Sequence, residues 1–153
     1  MTSLCCKVLQ ALKGKTLVTA ESCTGGGIGA ALTAIPGSSE IYKGGVICYT
    51  NWVKHNVLGV DSKLLDREGA VSAPVAKEMA FGVRKLLEAD VAVSVTGLAG
   101  PGTDDFGNSV GTVYIGYSSG RKNEVWEFHF SGDRESVRRQ TVEATLKLIL
   151  ENI

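Results

Sequence analysis

The chain has 153 residues, the size of one ordinary domain and long enough to bury a core. Apolar residues make up 44% of it and charged residues 21%, ordinary values for a globular protein. With 16 basic and 16 acidic residues it lacks the basic excess of a phosphate-backbone binder, so nucleic acid is not an expected partner. No apolar run approaches the roughly 20 residues that span a bilayer, so no membrane partner is expected either. Lys7, Lys13 and Lys15 interrupt the N-terminus and no cleavage-site pattern follows, which reads as a cytoplasmic protein. Cys5, Cys6, Cys23 and Cys48 form no CxxC pair and have no companion histidines at zinc-site spacing. Free thiols, no metal and no cofactor are expected.

In chain order, a helix is predicted from about Leu4 to Leu12, ended by Gly14. Thr16 to Ala20 reads as a short buried strand that breaks into Glu21-Ser22-Cys23-Thr24-Gly25-Gly26-Gly27. Ile28, Ala31 and Leu32 then give helical spacing. After the Pro36-Gly37 turn, Gly45 to Thr50 reads as a second strand, apolar on both faces. Asn51 caps a predicted helix through Leu58, closed by Gly59, and a further helical stretch covers Ser62 to Glu68. Ala73 to Leu87 is the clearest amphipathic helix, with Pro74 in its first turn. Asp90 to Thr96 is a third buried strand, opening into a glycine-rich loop, Gly97 to Gly107. Val110 to Tyr117 and Glu124 to Phe130 are strands four and five, joined by a short turn at Ser119-Gly120 as an antiparallel hairpin. Asp133 starts a last helix to about Leu150. Buried strands alternating with helices imply a single α/β domain over 1–153, a three-layer α/β/α sandwich with a mixed, largely parallel sheet.

Polar segments follow each of the first three strands: ESCTGGG, TNWVK and TGLAGPGTDDFG. The carboxyl ends of parallel strands share one edge, where open α/β sheets place ligands, so Ser22, Lys54 and the Thr96 loop can converge there. Glycines at a helix start can offer amides to a phosphate or an oxyanion. Ser22 or Thr24 can equally be a plain helix cap, and capping serines are far commoner than nucleophiles. His129 lies in an alternating strand and His55 points about 100° from Lys54 on a helix, so neither is an obvious base. A lysine serves instead when desolvation leaves it partly neutral, and a position in the first helical turn would add to that. Lys54 can also be a solvated lysine or a phosphate contact. Cys23 is the competing nucleophile, unless the alternation turns it into the core. Asp104 and Asp105 read as a solvated turn rather than a metal site. Arg134 can clamp a phosphate, whereas Arg138 and Arg139 are expected on the exposed face of the last helix.

The ordered segments AESCTGG, GGVICYTNWVKHNVLGV, GAVS, VTGLAGPG, VGTVYIG and SGDR closely resemble the CinA C-terminal domain family, from about Lys15 to the last helix. Stand-alone members of that family are nicotinamide mononucleotide deamidases. The resemblance implies hydrolysis of this small-molecule nucleotide to nicotinate mononucleotide and ammonia, in pyridine-nucleotide salvage and without a metal. It also implies a Ser22/Lys54 pair, Tyr49 and Thr96 as catalytic companions, Arg134 as the phosphate arginine and Glu21 as the acidic neighbour of the serine. Thr24, Gly25, Gly26, Gly97 and Gly100 are the expected substrate and oxyanion contacts, and a homo-oligomer is expected. The family's loop commonly runs GPGG and KPVGTV, where this chain has GPGTDDFG and NSVGTV. Longer members carry an N-terminal pyrophosphatase-like domain, whose activity is not expected here. The rival readings are a non-catalytic nucleotide-binding regulatory domain and an amidase for another small carboxamide.

Overall fold

The computed structural model describes all 153 residues. Helix α1 (Thr2–Ala11) leads into strand β1 (Leu17–Glu21) and helix α2 (Gly27–Thr33). Strand β2 (Tyr42–Ile47) is followed by helices α3 (Asn51–Asn56), α4 (Ser62–Glu68) and α5 (Ala73–Leu86). Strands β3 (Val91–Gly97), β4 (Thr112–Ser119) and β5 (Asn123–His129) then precede helix α6 (Arg134–Asn152). The strands form one sheet in the order β2-β1-β3-β4-β5. β1 pairs in parallel with both β2 and β3, whereas β4 runs antiparallel to β3 and to β5. The expected closing hairpin is present, turning where Ser119 N donates to Lys122 O at 2.9 Å.

Alternation along the strands divides the core between two helical layers. Leu17 of β1 and Val93 and Val95 of β3 pack with Val8 and Leu12 of α1, Ile28 and Leu32 of α2, and Leu146 and Ile149 of α6. Val18, Ala20 and Ala92 point the other way, into Leu64 of α4 and Val75, Met79 and Val83 of α5. α5 can lie close against the sheet because Gly116 of β4 has no side chain. A Cβ there would meet Ser94 Oγ at 2.5 Å and Ala76 O at 2.6 Å. No helix is long and apolar enough to cross a membrane.

Two predicted elements differ in detail. The second strand is not apolar on both faces: β2 is an edge strand whose residues alternate half-buried and exposed, and it starts at Tyr42, earlier than the glycines at 44 and 45 suggest. The cap of α3 is Thr50 rather than Asn51, its Oγ1 accepting from Val53 N at 3.4 Å, and the helix ends at Asn56. Gly59 at φ +76° closes the segment as expected. At the last helix Asp133 is the cap, accepting from Ser136 N at 2.9 Å.

Candidate active site

Ser22 directly follows β1, and its amide still donates to Val95 O of β3 at 3.0 Å, so the sheet fixes its backbone. Gly25 at φ +58° and Gly26 at φ +103° then reverse the chain into α2, conformations that L side chains rarely adopt. Lys54, on α3, is only 1% exposed, and its Nζ lies 2.9 Å from Ser22 Oγ, 2.8 Å from Cys48 O and 3.3 Å from Tyr49 O. No carboxylate pairs with it; the ion pairs of the chain are Arg67–Glu68, His129–Glu127 and Lys147–Glu143. Burial lowers its pKa from the usual lysine range. The positive end of a helix is not the cause, since Lys54 is the fourth of only six residues in α3.

The three neighbours of Nζ suit either protonation state. As a neutral amine, Lys54 can give its two N–H groups to the Cys48 and Tyr49 carbonyls and direct its lone pair at the Ser22 hydroxyl proton. As an ammonium it donates to all three. A base that takes and returns a proton needs both states satisfied.

Together these residues open onto a cleft of about 250 Å³, with Thr96, Tyr49, Asn51 and Arg134 also in its walls. Thr96 Oγ1 donates to Ala70 O at 2.8 Å rather than to Lys54, so towards the cleft it can only accept. The Tyr49 side chain is 58% exposed and reaches Arg134 Nη2 at 3.2 Å, while only its carbonyl meets Lys54. Arg134 Nη1 donates to Gly100 O at 3.0 Å. Two of the five guanidinium donors are thus engaged with neutral acceptors, leaving three at the cleft mouth with no carboxylate partner. Gly97 lines the cleft, and close packing requires it, because a Cβ there would lie 2.8 Å from Thr112 O.

Several expected contacts lie elsewhere. Glu21 is 2% exposed and faces the opposite side of the sheet from Lys54, because adjacent strand residues point apart. Its carboxylate accepts from Thr24 Oγ1 at 2.6 Å, Ile28 N at 2.8 Å and Gly29 N at 3.0 Å. The start of α2 is therefore occupied by the chain's own carboxylate, not open to a phosphate, and the Glu21 carboxylate and the Thr24 hydroxyl hold the turn. Gly25 and Gly26 shape that turn without lining the cleft. In the two turns that follow Ser22 and Thr96, the Gly25 and Leu98 amides are tied to Ser22 O and Thr112 O. The Cys23, Thr24 and Ala99 amides donate to no acceptor within the chain.

Cys23 packs in the core, where burial pushes its thiol up to about 12, so it offers no thiolate. His55 Nδ1 is bound to Val60 O at 2.7 Å and His129 to Glu127, so neither histidine serves Ser22. Asp104 accepts from Phe106 N, Asn108 N and Asn108 Nδ2, a self-contained turn, and no group of metal-ligating side chains occurs in the chain. A roomier groove of about 380 Å³ between β5 and α6 has apolar walls at Phe128, Phe130 and Leu148 and no nucleophile–base pair.

Arg138 does not decorate the surface as expected. It is half-buried, its Nε donating to Cys23 O at 3.1 Å and its Nη2 to Thr24 O at 3.1 Å. Its i, i+4 spacing from Arg134 was the available signal, since that spacing puts both arginines on one face of α6. Asn51 also reaches the cleft, having been assigned to a cap.

The family model of the CinA C-terminal domain matches residues 1–153. A putative competence-damage inducible protein of Bacillus subtilis (strain 168) is 47% identical over 149 residues, covering 97% of this chain and 35% of the relative. A CinA-like protein of Endomicrobium trichonymphae is 49% identical over 135 residues, covering 88% and 32%. The chain thus spans about a third of the length of these curated relatives. Among solved structures, competence damage-inducible protein A from Klebsiella pneumoniae superposes with a TM-score of 0.96 at 36% identity, over 99% of this chain and 95% of that one. A CinA superfamily protein from Enterobacter cloacae gives 0.94 at 35% identity, over 98% and 90%. On sequence over its whole length and on fold, the chain belongs to the CinA C-terminal domain family.

Proposed function

We propose that the chain hydrolyses the carboxamide of nicotinamide mononucleotide to nicotinate mononucleotide and ammonia, with Ser22 as nucleophile and Lys54 as its base. The observation that carries this reading is a buried lysine with no carboxylate partner, 2.9 Å from a serine hydroxyl in the wall of a cleft. Lys54 Nζ takes the Ser22 proton as Oγ adds to the carboxamide carbon, giving a tetrahedral intermediate with a negatively charged oxygen. The unoccupied amides of Cys23 and Thr24 donate to that oxygen, a contribution of ~3 kcal/mol per donor. Lys54 returns the proton to the amide nitrogen, the C–N bond breaks, and ammonia leaves an acyl ester on Ser22. Water attacks the ester while giving a proton to Lys54, which passes it to Ser22 Oγ as the C–O bond breaks. Thr96 Oγ1, its own proton committed to Ala70, accepts from the carboxamide N–H₂, and the free donors of Arg134 hold the phosphate.

The test is ammonia release from nicotinamide mononucleotide by chelator-treated protein, with nicotinamide riboside as the phosphate-free control. Release from the mononucleotide alone supports the reading. Equal release from the riboside points to an amidase for another small carboxamide, and no release by folded protein that binds the mononucleotide points to a sensing domain. Ser22→Ala and Lys54→Ala should fold and lose turnover.

A further inference from the structure

Arg138 carries a full charge, is half-buried, has no carboxylate partner within 4.0 Å, and directs its donors at two consecutive backbone carbonyls of the turn that follows Ser22. The guanidinium packs closely there, 3.5 Å from where a Cβ on Gly25 would stand. We infer that Arg138 is a positioning residue for the oxyanion site, holding the Cys23 and Thr24 carbonyls towards α6 so that the free amides of this turn face Ser22. The inference rests on the Ser22 nucleophile of the proposed function.

A trans peptide points its C=O and N–H to opposite sides. Holding Cys23 O on the α6 side turns the Thr24 N–H away from α6, and that N–H has no acceptor in the chain. Holding Thr24 O likewise turns the Gly25 N–H, which donates to Ser22 O at 3.1 Å. That bond fixes the next plane, Ser22–Cys23, whose own N–H is the second one without an acceptor. The guanidinium therefore sets the Thr24 amide directly and, together with Gly27 N, which also donates to Thr24 O at 3.0 Å, sets the Cys23 amide through Gly25. It also polarises the carbonyls, and hydrogen bonds in such a chain strengthen one another, making the Thr24 amide a better donor. A planar fork can hold two carbonyls at once, whereas an ammonium on a flexible stem cannot fix both planes.

The experiment compares wild-type chain with Arg138→Ala, Arg138→Lys and, as control, Arg139→Ala, whose side chain is exposed and makes no hydrogen bond. Three readouts are taken: kcat and KM for nicotinamide mononucleotide, the rate at which p-nitrophenyl acetate acylates Ser22 by peptide mass mapping against Ser22→Ala, and thermal stability. Losing an oxyanion donor costs about 10²–10³ in kcat, so mis-aiming two should lower kcat and Ser22 acylation together by about 10-fold or more, with KM changed little. Arg138→Lys should fall almost as far, Arg139→Ala should match wild type, and added guanidinium should restore part of the Arg138→Ala rate. If Arg138→Ala does not fold, Arg138→Lys and its acylation rate decide. Acylation at the wild-type rate in a folded Arg138 variant overturns the inference. If wild type acylates on Ser22 but releases no ammonia, the carboxamide reading falls while the Arg138 inference is still judged on acylation. If Ser22 of wild type is never acylated, both fall.

Discussion

Lys54→Met tests the assignment of the base through stability alone, with no substrate present. Methionine keeps most of the stem and removes the amine. In the wild-type chain burial lowers the Lys54 pKa. Between that folded-state pKa and the unfolded value of roughly 10.4, the unfolded chain holds a proton that the native chain does not. Stability then rises with pH across this window, by up to about 1.36 kcal/mol per pH unit. Below the folded-state pKa both states hold the proton and this slope vanishes. The variant has no such group, so wild-type minus variant stability should grow with that slope. The offset is less diagnostic: Lys54→Met removes a buried ammonium, but it also deprives the Cys48 and Tyr49 carbonyls of a donor, at about 1–3 kcal/mol for each one left buried. Urea denaturation of both proteins at half-unit steps from about pH 7 to pH 10 reads the slope directly. The wild-type kcat/KM should climb through the same pKa, because it reports the free enzyme's base. Parallel stability curves would mean that Lys54 titrates as it does in the unfolded chain, stays charged near neutrality and is not the base.

Glu21→Gln should act on stability rather than on substrate binding. The amide N–H₂ would face donors that now share a carboxylate, at a cost of about 1.5–3 kcal/mol for the charged hydrogen bonds lost. The urea midpoint should drop with an unchanged slope and KM should hold; a raised KM at unchanged stability would return Glu21 to the binding site. Cys23→Ala should keep kcat within about threefold, since a thiol with its pKa pushed up to about 12 contributes no thiolate at neutral pH. Loss of turnover on this change, with the fold intact, would make Cys23 the nucleophile.

The strands β1 and β3, the Asp133 cap and the Gly59 stop were legible in the sequence because each is a local signal, although the cap of α3 falls one residue earlier than expected, at Thr50. The edge strand β2 was not, because exposure on one side comes from its place at the end of the sheet, which its own residues do not encode. The same division runs through the site. Ser22, Lys54 and Thr96 could be brought together by the rule that strand ends converge, and the cleft contains all three; Arg134, expected only as a phosphate clamp on the last helix, lines it as well. Who bonds to whom was not legible: Thr96 turns to Ala70, the Tyr49 hydroxyl to Arg134, and Arg138 to the serine turn, across 115 residues in the case of Cys23. These depend on side-chain reach between elements whose separation only the packed fold sets.

The two buried ionisable side chains nearest Ser22, Glu21 and Lys54, explain one another. A carboxylate one residue before Ser22 would, if it reached Lys54, form an ion pair and hold the ammonium charged, which raises a lysine pKa rather than lowering it. Strand alternation sends Glu21 to the α2 side of the sheet and Ser22 towards α3, so neighbours in sequence face different layers. The amides of α2, at the positive end of its dipole, then satisfy the carboxylate that Lys54 does not meet. What remains beside Lys54 is a hydroxyl and two carbonyls, acceptors that tolerate either protonation state. The buried acid thus shapes the turn that carries the serine while leaving the lysine free to lose its proton, and a base at this position requires both.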